Sequence, residues 1–330
     1  MAIKFQFLEA GSGDSIFIST EKTNVLIDGG TSSNCKNLIK ICKREKKFFD
    51  IVILTHYDDD YIGGILGLLK NQKSESNIFI KEVWANSYDE TIKPEIDSNE
   101  TSITQQNKLL QLMANLKHKV NFKNNFSVDN QRHFKHQDLK FILLSPNNKK
   151  LTSAKYEIEK YEKDNLTANI IQTYSKDYKK SILELQDIEF VEDKSVPNGS
   201  SIAFILVYKE KNYLFLGDAH ISLIVDELKK LHNKFHNFEF IKLSHHGSKH
   251  NITKEFIQLT TTKNYVILTD GKRHVHPDKE TLSKILVHRN NKNDKINFIV
   301  NYKHMLNHNN FDDNDKKKYN FEVICQNEHP

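Results

Sequence analysis

The sequence predicts an α/β protein, and three observations carry that expectation. Apolar runs of strand length recur along the chain, among them Val25-Leu26-Ile27, Ile51-Val52-Ile53-Leu54 and Phe238 to Leu243. Between them lie stretches with apolar residues at helical spacing, such as 34–47, where Leu38, Ile39, Ile41 and Cys42 sit beside many lysines. Several of the runs stop directly at Asp, His or Gly, and in layered α/β proteins the carboxyl ends of strands open onto the ligand crevice.

Ile3 to Phe7 alternates in polarity like a half-buried strand. Gly11-Ser12-Gly13-Asp14 turns the chain into a second strand, Ser15 to Ile18, and Asn24 to Ile27 is a third, ending in Asp28-Gly29-Gly30. The amphipathic helix over 34–47 precedes the strand Phe49 to Leu54, and a further helix runs from Ile62 to Lys70. Ile78 to Ala85 reads as a strand, Thr101 to Lys117 as a helix, and Asp138 to Leu144 as a strand closed by Ser145-Pro146. Charge dominates 151–188, where helices decorating the core are expected; its lysines form a solvated face or a basic one. Ser200 to Tyr208 and Tyr213 to Leu216 make a hairpin ending in Gly217-Asp218-Ala219-His220, followed by a helix from about Ile221 to Leu231. The strands Phe238 to Leu243 and Tyr265 to Leu268 end in Ser244-His245-His246-Gly247-Ser248 and Thr269-Asp270-Gly271, and 278–288 is helical. From about 303 the chain is polar apart from Phe321 to Ile324, an edge strand.

The bulk numbers narrow the class. A chain of 330 residues buries a sizeable core, and the expected organisation is one domain over 1–330, an insertion over 88–190 and a polar C-terminal tail over 303–330. No apolar run reaches membrane-spanning length, and no basic region followed by an apolar core marks a secretory leader. Cys35, Cys42 and Cys325 do not make a disulfide framework, so a reduced cytoplasmic setting without a membrane partner is the expectation. The net charge of +5 is compatible with a phosphate-rich substrate such as nucleic acid.

The densest chemistry lies in Thr55-His56-Tyr57-Asp58-Asp59-Asp60-Tyr61-Ile62-Gly63-Gly64. His56, Asp58 and Asp60 occupy alternating positions at the mouth of a buried strand, which suits a divalent metal because several ligands converge with little backbone entropy left to lose. Asp28, Asp218 and the pair His245 and His246 each follow an apolar strand in the same way, so one shared site is expected. Asp28 before two glycines also reads as a turn former.

These segments resemble the metallo-β-lactamase-fold hydrolases, whose signature is His-x-[His/Asp]-x-Asp-His, and within them the branch that includes the nuclease-like domain of the DNA-uptake protein ComEC. Gly11 to Ser15, Asn24 to Gly30, Phe215 to Asp218, Pro197 to Ser201, Leu243 to Ser248, and Asp270-Gly271 through His276-Pro277 are similar to further elements of that branch. The resemblance implies an αββα sandwich of two mixed sheets flanked by helices. It implies a hydrolase of phosphodiester bonds, a nuclease on DNA or RNA, working through a metal-activated water. The metal ligands would be His56, Asp58, Asp60, Asp218 and His245, with Asp218 between two ions and Asp60 also orienting the water. His246 would contact the phosphate or protonate the leaving group, in an order with His245 that is reversible, and His276 would contact substrate. Two departures matter. Tyr61 stands where the family has a second-metal His, which leads to a weak second ion, a tyrosine that hydrogen-bonds substrate or water, or an impaired catalyst. Asn198 stands where other relatives carry a His, and the oxygen-rich, thiolate-free set suits Mn²⁺ as well as Zn²⁺, as one or two ions. Hydrolysis of a small phosphocholine ester, cyclic nucleotide or lactone, and an interaction module with a degraded site, are the competing expectations. Free-standing relatives look like proteins of bacterial defence gene neighbourhoods, where a partner protein regulates a nuclease.

Overall fold

The computed structural model describes residues 2–44, 48–74, 79–87, 102–164, 177–273 and 275–329. Of the expected elements, the start of the Ile78 strand and the parts of the 88–190 segment at 88–101 and 165–176 lie outside the described residues.

The first six strands are β1 Lys4–Phe7, β2 Ile16–Ser19, β3 Asn24–Ile27, β4 Ile51–Ile53, β5 Glu82–Trp84 and β6 Asn121–Lys123. The rest are β7 His133–His136, β8 Leu139–Ser145, β9 Ala203–Tyr208, β10 Lys211–Phe215, β11 Phe240–Lys242, β12 Asn264–Ile267, β13 Ile296–Val300, β14 Phe321–Cys325 and β15 Glu328–His329. They build a seven-stranded sheet in the order β15-β1-β2-β3-β4-β5-β6 and an eight-stranded sheet in the order β14-β13-β12-β11-β10-β9-β8-β7. Both sheets are mixed. Pairing is antiparallel from β15 to β3 and parallel from β3 to β6. In the second sheet it is antiparallel from β7 to β10 and parallel from β10 to β14.

The sheets pack face to face over an aromatic-rich core in which Phe5, Phe7, Phe204, Phe215 and Phe240 are buried. Alternation along each strand sends the other side chains outward onto helices. Leu26 and Val52 meet the helices Cys35–Arg44 and Asp59–Ser74, while Leu214, Ile241 and Tyr265 meet Ile221–Lys229, Lys254–Leu259 and Lys279–His288. The result is the expected αββα sandwich. Among the described residues no helix is long and apolar enough to cross a membrane.

Four strands, β6, β7, β13 and β15, were not legible. β6 and β7 are short and largely exposed, β15 has two residues, and β13 follows the polar, Asn-rich run 289–295. The segment read as a polar tail is folded. It supplies β14 at the edge of one sheet, and β15 pairs with β1 in the other. Within 151–188 the described helices are the end of Asn148–Asp164 and the short Ile182–Leu185.

Candidate metal centre

Five loops leave the carboxyl ends of β3, β4, β10, β11 and β12 and meet where the two sheets adjoin. The Thr55 carbonyl after β4 accepts a hydrogen bond from Ile202 ahead of β9, and Asp270 after β12 donates its amide to Gly11 of the first sheet. A buried ion pair crosses the same junction. Lys242 of β11 meets Asp14 in the Gly11 turn, with Lys242 also on the Gly217 carbonyl at 3.3 Å. Gly64 lets the helix Asp59–Ser74 seat its first turn on the Asp28-Gly29-Gly30 loop, since a Cβ there would lie 2.1 Å from the Gly29 carbonyl oxygen.

Backbone strain gathers at these loops. Asp28, His245, His246 and Val275 all have positive φ, at 55°, 45°, 54° and 56°. For residues bearing a side chain this costs on the order of 1–3 kcal/mol each, and it persists where the surroundings over-determine the geometry.

The core of the site is His56, which is fully buried. Thr55 donates its amide and its hydroxyl to the two Asp28 oxygens, at 2.8 and 3.0 Å. The Thr55 hydroxyl oxygen is therefore left to accept from His56 Nδ1, at 3.1 Å. That places the lone pair on Nε2, which faces Asp58 Oδ2 at 3.7 Å and Asp218 Oδ2 at 3.6 Å and makes no hydrogen bond. A lone pair and two carboxylate oxygens around one point repel one another unless a proton or a metal cation lies between them. Burial drives the imidazolium down, but Asp58 and then Asp218 outweigh it, and the His56 pKa rises to about 9.

Ligands about 2.0–2.2 Å from a tetrahedral ion are roughly 3.3–3.6 Å apart, so the two sides from His56, 3.7 and 3.6 Å, lie at or just beyond the upper end of that range. Among the described residues no three His, Cys, Asp or Glu groups are set to hold an ion as they stand. The donor set nevertheless fits a divalent cation after a small inward adjustment of Asp58, whose side chain is 44% exposed.

Around this triangle the expected residues fall into two groups. Asp218 is buried, and although burial opposes its ionisation, the charges of His245, His56, His246 and Lys242 hold its pKa far below the usual range. Tyr61 donates to Asp218 Oδ1 at 2.5 Å, lies 3.1 Å from His246 Nε2 and packs its ring, tilted by 52°, 4.1 Å from that of His56. Burial, then the charges of Asp14, Asp218 and Asp60, push the phenol pKa up, so it stays protonated. His246 donates from Nδ1 to the Leu268 carbonyl at 2.8 Å, which turns Nε2 toward Tyr61. His245 has Nδ1 3.3 Å from Asp193 and 3.4 Å from Asn198, and its ring lies 5.2 Å from that of His276. Burial lowers its pKa, but Asp218 and Asp193 raise it further, to about 9. His276 is pushed down to about 4, first by burial, so it is neutral at pH 7.

Asp60 stands apart. It is one residue before Tyr61, about 100° round the helix, and its carboxylate is 3.5 Å from the Arg273 guanidinium. His220 occupies the N-cap position of the helix Ile221–Lys229, with Nε2 donating to the Ser195 carbonyl and Nδ1 accepting a hydrogen bond from Lys150.

Sequence reading missed Asp193 and Lys242. Asp193 accepts from the Ser195 amide and from Asn198 Nδ2 at 2.7 Å, so it orients both Asn198 and His245. Its signal was positional, two residues ahead of a Ser-x-Pro helix start. The signal for Lys242 was a lone cation inside an apolar strand.

The αββα sandwich thus gathers histidines and carboxylates at its strand ends. In agreement, residues 8–74 match the family described as the Metallo-beta-lactamase superfamily, a span that holds Asp28, His56, Asp58, Asp60 and Tyr61. Such a fold implies a divalent metal. No curated protein matches the chain. Solved structures that are similar include the metallo-beta-lactamase fold protein YhfI from Bacillus subtilis, at 10% identity, covering 100% of both chains with a TM-score of 0.45. A diphosphatase from the PhnP family shares 10% identity over 100% of this chain and 98% of its own, with a TM-score of 0.44. The short form of human tRNase Z shares 10% over 99% and 98%, with a TM-score of 0.43. Similarity at this level decides neither substrate nor activity.

Proposed function

We propose that this protein is a metal-dependent hydrolase of phosphodiester bonds, and a nuclease within that class. One observation carries the reading: His56 Nε2 is held unpaired, by Thr55 and Asp28 behind it, facing two carboxylates. A proton on Nε2 relieves that arrangement in the metal-free protein and a metal cation would replace it, held by His56, Asp58 and Asp218. A divalent ion there would supply positive charge to the phosphoryl oxygens and acidify a water.

The chain's own groups divide the remaining work. Asp193 and Asn198 fix the His245 ring through its Nδ1. His276, neutral and next to His245, accepts or donates a hydrogen bond to substrate without adding charge. Tyr61 fills the place beside Asp218 Oδ1, which favours one tightly held ion over two. His246 is tied between Leu268 and Tyr61 and positions the phenol.

The test combines elemental analysis of purified protein with hydrolysis of bis-p-nitrophenyl phosphate and of plasmid DNA. The reading expects metal at about one ion per chain, cleavage of both substrates, and loss of metal and cleavage together in His56→Ala. Cleavage that persists in His56→Ala overturns it. A small phosphate ester as substrate is the second reading, favoured by a cavity of about 440 Å³ beside Asp60, within the size range of small-molecule sites. Turnover of the small diester with plasmid left intact would select it.

A further inference from the structure

The cavity beside Asp60 has a composition that the metal centre does not explain. It runs along one face of the helix Asp59–Ser74, from Asp60 past Gly63 and Gly67 to Lys70. At a 1.5 Å rise per residue that is about 15 Å, starting at the metal centre's edge. The two glycines keep its floor low. Its charged lining is Lys70, Lys108 and Arg273 against Asp59 and Asp60.

The acidic members are already answered inside the chain. Gln105 Nε2 donates to Asp59, and Arg273 faces Asp60. The two lysines are exposed and, among the described residues, have no carboxylate at ion-pair distance. The surplus is therefore positive and points into a concave space. Gln105 lines the cavity too, and its Oε1 makes no hydrogen bond but is closed to solvent, so it accepts from a ligand N–H or O–H when the side chain turns outward. Ammonium and guanidinium groups beside a lone carbonyl acceptor fit a ligand that carries a phosphate at one end and a hydroxyl or amino donor at the other. A nucleotide unit has both, and a volume of about 440 Å³ takes one such unit, not a duplex.

We propose that this cavity is the subsite for a nucleotide neighbouring the scissile bond, with Lys70, Lys108 and Arg273 on its phosphate and Gln105 Oε1 on its sugar or base. This rests on the phosphodiesterase reading and adds to it a single-stranded substrate.

Binding and catalysis separate the two ideas. A fluorescein-labelled single-stranded hexanucleotide is titrated by anisotropy in EDTA, where cleavage is off, against wild type, the double variant Lys70→Gln with Lys108→Gln, and Arg273→Gln. Exposed lysines do not threaten folding. The double variant should bind about tenfold more weakly at low salt. Its slope of log affinity against log salt should be shallower by about 0.7 for each phosphate contact removed. Adenosine monophosphate should compete better than inorganic phosphate, and Gln105→Leu should erase that advantage. Equal affinity and slope in wild type and the double variant overturn the subsite, as does a wild type that does not bind. Hydrolysis of bis-p-nitrophenyl phosphate is read separately with metal restored. Lysine-dependent binding with no hydrolysis by wild type keeps the subsite and removes the phosphodiesterase reading. Hydrolysis with lysine-independent binding does the reverse.

Discussion

Replacing Tyr61 with Phe tests the geometry of the site more directly than removing a ligand. The phenol is buried, donates to a carboxylate at 2.5 Å and lies within reach of His246. A hydrogen bond to a charged group contributes about 1.5–3 kcal/mol, and the benzyl ring still fills the space against His56. A loss of about 2 kcal/mol is therefore expected in metal-free protein. Unfolding entropy scales at about 2.1 cal/mol/K per residue, or roughly 700 cal/mol/K for 330 residues. The melting temperature should then fall by about 3 °C in EDTA. With metal present the variant should still bind about one ion per chain, because His56, Asp58 and Asp218 are untouched. Tyr61→His should instead raise the metal content toward two, since an imidazole then stands beside Asp218 Oδ1. Differential scanning calorimetry and elemental analysis read both. An unchanged melting temperature in Tyr61→Phe would show that the phenol does not bond Asp218, and the account of a single ion would fall with it.

Other outcomes follow from the same geometry. Asp193→Ala should weaken metal binding by about 10–100-fold, the usual cost of losing a group that orients a ligand, with the fold retained by circular dichroism. Lys242→Met should cost about 3–5 kcal/mol by stranding the Asp14 charge, whereas Lys242→Met with Asp14→Leu should recover most of it in urea melts. Metal affinity should rise with pH up to about 9. His56 and His245 are both held protonated to about that value without metal, so each ion must displace protons, and competition with a chelator at pH 6.5 and 8 measures the slope. The sign reverses for stability of the metal-free protein. Histidines whose pKa is raised on folding contribute fully below the unfolded value near 6.5, and that contribution is lost as pH rises through about 9. Metal-free protein should therefore melt lower at pH 9.5 than at pH 6.5.

What the sequence revealed about the site, and what it hid, follows from where each partner lies along the chain. His56, Asp218, His245 and His246 were legible because each sits immediately after an apolar strand, and parallel neighbours deliver their carboxyl ends to one side of the sandwich. That rule needs only local pattern. The supports behind those residues obey no local rule. Thr55 meets Asp28 across 27 positions, Lys242 meets Asp14 across the sheet junction, and Asp193 meets His245 from the stretch between 188 and Pro197, to which the sequence reading assigned nothing. Asp60 shows the limit from the other direction. Spacing alone puts it in line with His56 and Asp58, but the helix begins at Asp59, and from there one residue means a turn of about 100°. Tyr61 is thereby carried onto Asp218 and Asp60 toward Arg273. The alternating strand-end pattern that flagged the motif thus ends inside it. The same helical turn sets Asp60 against Arg273 in the lining of the basic cavity.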